Sequence, residues 1–292
     1  FHDGYYFSIK SGSFCSLLVS ADYSCPKEVL PMFDYPYIIE LLTPRKSTEG
    51  YSEQLLHRFG ERFTRIMQAG CGVSIPDNPM GNLRLGALEA IEILNLSFDP
   101  ERVVINLNTF HTKAELDELL DRALRMGIRF LLVVRGDGGP SLPKLDPAAI
   151  GGEFNVASSA DLSGFINRTH PGKFVTGAAF NHYNPIDVEL MRLNKKIAAG
   201  ARFVVTQPVI GAEPRLDQLK VLDIPLVVEA WMSDNIQLFS QSVGDDSLEV
   251  ADYDPAVNLR LLHESFPGSC VYLSMLNLKE SFVDLLPALS AK

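Results

Sequence analysis

Hydrophobic residues occur along the chain in short runs that alternate with longer segments of helical spacing. From Tyr37 onward the short runs are mostly apolar and have the length of buried strands. Each run is followed by a turn and then by a segment whose apolar residues recur every three to four positions. The pattern predicts eight strands, at residues 37–42, 71–76, 102–108, 128–135, 173–180, 202–207, 224–231 and 269–275.

The segments between these runs predict helices. Within residues 112–126 the apolar positions follow the i, i+3, i+4, i+7, i+8 spacing of one helix face. The other predicted helices cover residues 52–67, 83–96, 187–199 and 255–265. Eight buried strands alternating with helices are typical of an α/β protein with a (β/α)8 TIM barrel, and an open doubly wound sheet is the alternative.

The length of the chain is compatible with one barrel and an extension. The chain has 292 residues, and a (β/α)8 barrel takes about 250. Residues 1–36 are rich in aromatic and turn-forming residues, and we expect them to form an N-terminal extension packed on the barrel. Residues 37–292 are then the barrel domain.

Polar residues follow the predicted strands, where a barrel carries its chemistry. We expect them to converge on one rim around a ligand cleft. The loop 138–152 is rich in Gly and Pro, which is typical of a mobile cover or of a wall formed by backbone. The loop 241–254 is acidic and is interpreted as solvated. The strand-end polar residues are Glu40, Ser74, Asp77, Asn106, Asn108, Arg135, Asp137, Asn181, His182, Asn184, Thr206, Gln207, Glu229, Trp231 and Asn277.

Glu40 is the first of these residues, and it ends the apolar strand that begins at Tyr37. Burial disfavours the charged form of a carboxyl group and raises its pKa, which keeps it available as a proton donor near neutral pH. Glu40 is therefore a candidate general acid. The alternative is a structural glutamate that forms an ion pair with Arg45.

Composition excludes several classes of function. The net charge of -10 and the lack of a basic stripe argue against nucleic acid binding. No apolar run approaches the roughly 20 residues of a membrane helix. The four cysteines are Cys15, Cys25, Cys71 and Cys270, and they form no CxxC pair, which argues against a zinc site and a disulfide framework. We therefore expect reduced thiols, no metal and a cytoplasmic location.

Three segments together resemble one family. Residues 40–45 read ELLTPR, residues 127–137 read GIRFLLVVRGD, and residues 193–207 read LNKKIAAGARFVVTQ. They are similar, in order and spacing, to the strands of the methylenetetrahydrofolate reductases that carry Glu-Phe-Phe-Pro-Pro-Arg, Arg-Gly-Asp and Thr-Gln. The resemblance covers residues 37 to about 207 well and the last third weakly.

The resemblance implies a (β/α)8 barrel that binds FAD and a tetrahydrofolate at the C-terminal ends of its strands. Glu40 would then protonate N10 of methylenetetrahydrofolate, so that the five-membered ring opens to an iminium that accepts hydride. Asp137 would hold the pterin close to the flavin and is counted with Glu40 as catalytic. Gln207 and Trp231 would also bind substrate.

The chemistry of these side chains supports the same assignment. A pterin presents an amide and an amino edge that pairs well with Asp and Gln side chains. The alternatives are that Asp137 is a turn residue beside Gly138 and that Gln207 caps a strand end.

The positions that correspond to flavin contacts are less well kept. Ser74 stands where the family has a flavin-binding Thr, and Arg135 and Gly136 accompany Asp137. Lys195 and Lys196 match basic positions near the FAD pyrophosphate, although two such lysines also fit a solvated helix face. Two family residues that contact flavin, Tyr and His, are replaced here by Phe180 and Asn184. The family's His-Leu-Thr is absent at residues 105–108. FAD binding is therefore left open.

Three functions remain open on the sequence. The first is reduction of 5,10-methylenetetrahydrofolate to 5-methyltetrahydrofolate, or the reverse, with FAD as carrier and NAD(P)H as donor. The second is the same reaction without tightly held flavin, with electrons from a nicotinamide or from a redox partner protein. The third is a non-catalytic folate-binding subunit, which would not need a buried acid at Glu40. We expect a homo-oligomer.

Overall fold

The computed structural model describes residues 35–222, 224–244, 253–279 and 282–287. Nearly all of the predicted extension 1–36 lies outside the described residues, and so do Cys15, Cys25 and residues 245–252 of the predicted acidic loop.

Eight parallel strands close into a barrel, which confirms the predicted fold class. Each strand pairs with its neighbours along the chain, and the last strand closes the barrel against the first. Every observed strand begins and ends within two residues of its predicted position. The strands are β1 Tyr37–Glu40, β2 Gly72–Pro76, β3 Val103–Leu107, β4 Phe130–Val133, β5 Val175–Phe180, β6 Phe203–Pro208, β7 Leu226–Trp231 and β8 Cys270–Ser274.

Helices follow the strands and surround the barrel. Two helices are not among the predicted ones, namely α4, which follows β4, and α6, which follows β7. A 3-10 helix, Pro214–Leu219, stands after β6. The α-helices are α1 Glu53–Gln68, α2 Ala87–Ile93, α3 Lys113–Arg125, α4 Ser159–Thr169, α5 Ile186–Ala198, α6 Ile236–Val243 and α7 Pro255–Ser265.

The loops contain a hairpin and several 3-10 turns. A two-stranded antiparallel hairpin, Lys46–Ser47 with Gly50–Tyr51, follows β1. Further 3-10 turns are Pro79–Gly81, Pro100–Arg102, Pro147–Ile150 and Phe282–Leu285. Of the helices in the described ranges, none is long and apolar enough to cross a membrane.

Strand alternation divides the hydrophobic core into two layers. One layer lies between the strands and the helices, and the other fills the inside of the barrel with residues such as Ile38, Phe130 and Phe203. Phe203 has room only because residue 177 is glycine, where an added Cβ would lie 2.2 Å from the Phe203 ring. The lower part of the barrel is therefore packed, and open space remains only toward the C-terminal ends of the strands.

Candidate active site

A cavity of about 440 Å³ lies at the C-terminal ends of the barrel strands. It is lined by the ends of β1 to β8, which is the end of a barrel where ligands bind. Of the residues predicted to have a catalytic or binding role, five line this one cavity, namely Glu40, Arg135, Gly136, Asp137 and Gln207. The sequence therefore placed the three central residues, Glu40, Asp137 and Gln207, around a common space.

Glu40 ends β1 and faces the cavity from its floor. Burial raises the pKa of its carboxyl group, and this effect outweighs three opposing ones. The opposing ones are a hydrogen bond that Tyr272 Oη donates to Glu40 Oε1 at 3.2 Å, a backbone N–H bond from Met275 and the charge of Arg84. Among the described residues no ion pair joins Glu40 to Arg45, which is exposed. The environment thus favours the protonated acid.

Ser74 is not among the residues that line the cavity, and its role in flavin binding stays a prediction. Its hydroxyl is fully buried and donates to Asn106 Oδ1 at 2.7 Å. Tyr272 also bonds to the side chains of Ser74 and Asn106. Ser74 therefore supports the floor on which Tyr272 and Glu40 rest.

Glu229 and Tyr272 are two cavity residues without a predicted catalytic or binding role. Glu229 was recognised as a polar strand end, but Tyr272 was not recognised at all. Both line the cavity. The signal for Tyr272 is the alternation of β8, where Cys270, Tyr272 and Ser274 share the face that points into the barrel.

Gln207 reaches the cavity together with its neighbour Thr206. Successive side chains of a regular strand point to opposite faces. Here the pairing of β6 with β7 shifts register between Val205 and Pro208. Thr206 is 1% exposed, and its Oγ1 accepts a hydrogen bond from Glu229 N–H at 3.0 Å across this irregular pairing.

The loop after β4 forms one wall of the cavity. Asp137 Oδ2 accepts a hydrogen bond from the backbone N–H of Met80 at 2.7 Å, which ties this loop to the loop after β2. The two loops touch through backbone, because an added Cβ on Gly81 would lie 1.8 Å from Gly138 O. The glycine-rich start of the predicted loop 138–152 thus packs backbone against backbone on the loop after β2.

Asp77 lies at the edge of the same wall. Its Oδ2 is 2.5 Å from His111 Nε2. Burial lowers the pKa of His111, but the hydrogen bond to Asp77 and its charge outweigh burial and raise the pKa. Asn108, a predicted rim residue, is buried and holds the backbone of Asp77 and Phe110.

Of the residues predicted on the β5 side, Asn181 lines the cavity, but Phe180 and Asn184 do not. Phe180 is 0% exposed and belongs to the core between strands and helices, because its neighbour Ala179 takes the face toward the cavity. Asn184 lies in the loop beyond and donates to Glu189 Oε2 at 3.3 Å. Neither side chain lines the cavity, and a flavin contact by Phe180 or Asn184 stays a prediction.

The two lysines of α5 also point elsewhere. Lys195 lies exposed on the outer surface of the helix. Lys196 Nζ donates to Ala179 O at 2.6 Å and lies 3.8 Å from Glu189 Oε1. Burial lowers the pKa of Lys196, an effect partly offset by the Glu189 charge. Neither ammonium faces the cavity.

Three other predicted rim residues are outside the cavity. Trp231 is buried at the end of β7 against Phe239 and does not line the cavity, so its contact with substrate stays a prediction. His182 is fully buried beside Tyr183. Asn277 is exposed beyond β8. Polar residues nevertheless line the cavity around the whole barrel, including Asn106 on β3, Asn181 after β5 and Tyr272 on β8.

Solved structures similar to this chain share its architecture at low sequence identity. The 7,8-dihydropteroate synthase from Vibrio fischeri ES114 is 13% identical with a TM-score of 0.48, covering 89% of this chain and 93% of that chain. The 2-keto-3-deoxy-6-phospho-gluconate aldolase from Zymomonas mobilis ATCC 29191 is 17% identical with a TM-score of 0.43, covering 87% and 90%. Matches this distant say nothing about the activity of this chain.

The sequence itself matches a family description. Residues 35–216 match the sequence model of methylenetetrahydrofolate reductase. The match spans more than half of the chain and includes Glu40, Asp137 and Gln207. The chain therefore belongs to the methylenetetrahydrofolate reductase family.

Proposed function

We propose that this protein is an oxidoreductase that reduces 5,10-methylenetetrahydrofolate to 5-methyltetrahydrofolate, or catalyses the reverse reaction. The observation that carries the proposal is the convergence of Glu40, Asp137 and Gln207 on one cavity, with Glu40 in surroundings that favour its protonated form. Membership in the family supports the same substrate class.

Asp137 and Gln207 are the residues proposed to hold the pterin. They lie on the walls formed by the loop after β4 and by β6, on either side of the ligand space. A carboxylate accepts hydrogen bonds from an amino group and a ring N–H, and an amide both donates and accepts. The pair can therefore recognise the amide and amino edge of a pterin while Glu40 faces the reacting end.

Glu40 is proposed to deliver the proton that opens the ring. The proton moves to N10 of methylenetetrahydrofolate as the bond between N10 and the methylene carbon breaks, and the electron pair of that bond stays on N10. The methylene group is then an iminium on N5. A hydride, which carries two electrons, adds to the methylene carbon and gives the 5-methyl product. A general acid of this kind contributes about 10²- to 10⁴-fold in rate.

FAD, which the family resemblance implies, fits the described residues poorly. The charged side chains of the cavity wall are the acids Glu40, Asp77, Asp137 and Glu229, with Arg135 as the cation. The lysines assigned to the FAD pyrophosphate lie outside the cavity, one exposed and one bonded to Ala179 O. This observation favours the second candidate function, in which NAD(P)H or a redox partner protein supplies hydride equivalents without tightly held flavin.

The test uses the purified protein with 5,10-methylenetetrahydrofolate and either NADH or NADPH, with and without added FAD. Formation of 5-methyltetrahydrofolate, measured by mass spectrometry, is the expected result, and the visible spectrum of the protein reports whether flavin is bound. If the protein bound folate but formed no product with any donor, a non-catalytic folate-binding subunit would be favoured. Absence of both folate binding and product would contradict the proposal.

The proposal also covers the oligomeric state, the location and a partner of the protein. We propose a homo-oligomer in the cytoplasm, with a redox partner if neither nicotinamide supports turnover. Size-exclusion chromatography with light scattering measures the oligomeric state directly.

A further inference from the structure

Glu229 has no role in the reaction proposed above, although it shares the cavity with Glu40. It lies on β7, and its register partner on β8 is Tyr272. Tyr272 in turn donates a hydrogen bond to Glu40 on β1, which is the next strand of the barrel. Three adjacent strands thus place two carboxyl groups on either side of one phenol.

The surroundings of Glu229 supply no compensating charge. Its carboxyl group is bonded to the hydroxyl of Ser274, and β6 presents to it the neutral side chains of Thr206 and Gln207. Among the described residues no ion pair involves Glu229. Two carboxyl groups that share a desolvated site without a cation between them cannot both ionise readily.

Glu40 faces a wider set of charged groups. Arg84 exerts a favourable charge on it, and Tyr272 donates to it. Asp77 and Asp137 add negative charge to the cavity, and Arg135 adds positive charge. Burial and the charge of Glu40 raise the pKa of Glu229 well above its ordinary value, while Ser274 opposes this. The net balance near the two glutamates therefore favours retention of a proton.

We propose that Glu40 and Glu229 form a proton-sharing carboxyl pair, in which Glu229 retains the proton that restores Glu40 to its acid form. The proposal rests on the function proposed above for Glu40. Glu229 acts through Glu40 and is a positioning residue, since nothing places it against the reacting atoms.

The proton transfers balance without a further reactant. Glu40 gives its proton to N10 and becomes a carboxylate. Glu229 then passes its own proton to Glu40 and keeps the electron pair of its O–H bond as a carboxylate. Solvent that enters through the cavity mouth returns a proton to Glu229 after the product leaves.

The experiment combines a titration with a pH profile. Full-length protein labelled with ¹³C at the glutamate carboxyl groups is titrated by NMR, and the spectra of Glu40→Gln and Glu229→Gln assign the two resonances. In the unsubstituted protein the pair should lose its protons in two separate steps, with the upper step above the ordinary glutamate range. Glu229→Gln should remove one step.

The pH dependence of turnover provides a second measurement, and a purely structural role of Glu229 would not change it. Glu229→Gln should shift the alkaline limb of the folate reaction to lower pH by about one unit or more, because only Glu40 can then hold the proton. Glu61→Gln makes the same chemical change on the exposed surface of α1 and should leave both the titration and the profile unchanged.

Two results would overturn the proposal. One is ionisation of both carboxyl groups in the ordinary glutamate range, which the unsubstituted protein alone can reveal even if Glu229→Gln does not fold. The other is an unchanged alkaline limb in a folded Glu229→Gln variant. If the unsubstituted protein turned over no folate, the proposed function would fail by itself, and the NMR titration would still decide whether the pair shares a proton.

Discussion

The two sides of the barrel mouth use their charged residues in different ways. On the side of β1, β7 and β8 the carboxyl groups of Glu40 and Glu229 face the ligand space and have few partners. On the side of β5 and α5 the charges of Glu189 and Lys196 are satisfied within the fold. Charge that is satisfied internally holds a loop in place, whereas charge that faces a cavity is available to a ligand.

Residue identity alone does not distinguish the two sides. Glu189 is buried like a catalytic acid, but it accepts hydrogen bonds from Asn181 N–H and Asn184 and lies beside Arg192 and Lys196. These contacts make it a fixed anchor for the turn between β5 and α5. The lesson is that the partners of a buried carboxyl group, more than its burial, indicate whether it can exchange a proton.

The largest expected effect comes from Glu40→Gln, which keeps the shape of the side chain and removes its transferable proton. We expect the reduction of methylenetetrahydrofolate to slow by about 10²- to 10⁴-fold, while folate affinity stays nearly unchanged. Single-turnover measurement of 5-methyltetrahydrofolate formation, beside calorimetric titration with folate, checks both parts. If the variant kept most of its rate, Glu40 would be a structural residue, and its role would not differ from that of Glu189.

Substitution of Phe180 tests the opposite side. Phe180→Ala removes a fully buried ring from the core and should lower the free energy of unfolding by about 3–5 kcal/mol. The matched control is Phe154→Ala, because Phe154 is 73% exposed in the loop after β4 and its removal should change stability by less than about 0.5 kcal/mol. Urea unfolding monitored by circular dichroism measures both. If Phe180→Ala unfolded like the control but lost ligand affinity, Phe180 would be a binding residue after all.

His182, in the loop after β5, is expected to make the stability of the folded protein depend on pH in the acid range. Burial lowers the pKa of His182 to about 4, which the charge of Glu213 opposes and that of Arg215 reinforces. Between pH 4 and about 6.5 the unfolded chain then binds a proton that the folded protein does not bind, so stability falls as pH falls through this window. The loss reaches roughly 3 kcal/mol at the acid end.

The measurement is the free energy of unfolding at pH 7 and near pH 4.5. His182→Gln should be less sensitive to acid than the unsubstituted protein, and His57→Gln, on the exposed face of α1, should behave like the unsubstituted protein. Equal acid sensitivity in all three proteins would show that His182 is protonated in the folded state.

The sequence predicted the fold well because strand burial and helix periodicity are local properties. All eight strands appeared as apolar runs, and the capping box of Thr112 with Glu115 matched the predicted start of α3. The helices α4 and α6 were not predicted. Their stability depends on packing against the barrel, which no window of sequence reveals.

Some cavity residues were predicted from the sequence and others were not, and strand alternation explains the difference. Glu40 and Asp137 follow strands whose registers are regular, so their positions could be inferred from the strand ends. Phe180 was predicted at the ligand site, but it is its neighbour Ala179 that lines the cavity. Tyr272 lies within β8 and not after it, so a search confined to strand ends overlooks it.

The smallest of the expected effects compares Gln207 with Lys195, one residue inside the cavity and one outside it. Gln207→Leu removes the amide proposed to pair with the pterin and leaves polar groups of the ligand unpaired, which costs about 1–3 kcal/mol. Folate affinity should fall by roughly 5- to 150-fold, with little change in stability. Lys195→Met removes a charge from the outer face of α5 and should leave folate affinity unchanged. Calorimetric titration of both variants with the same folate measures the difference. Equal affinities would place the pterin away from β6, and a loss in Lys195→Met alone would move the binding surface to the β5 side.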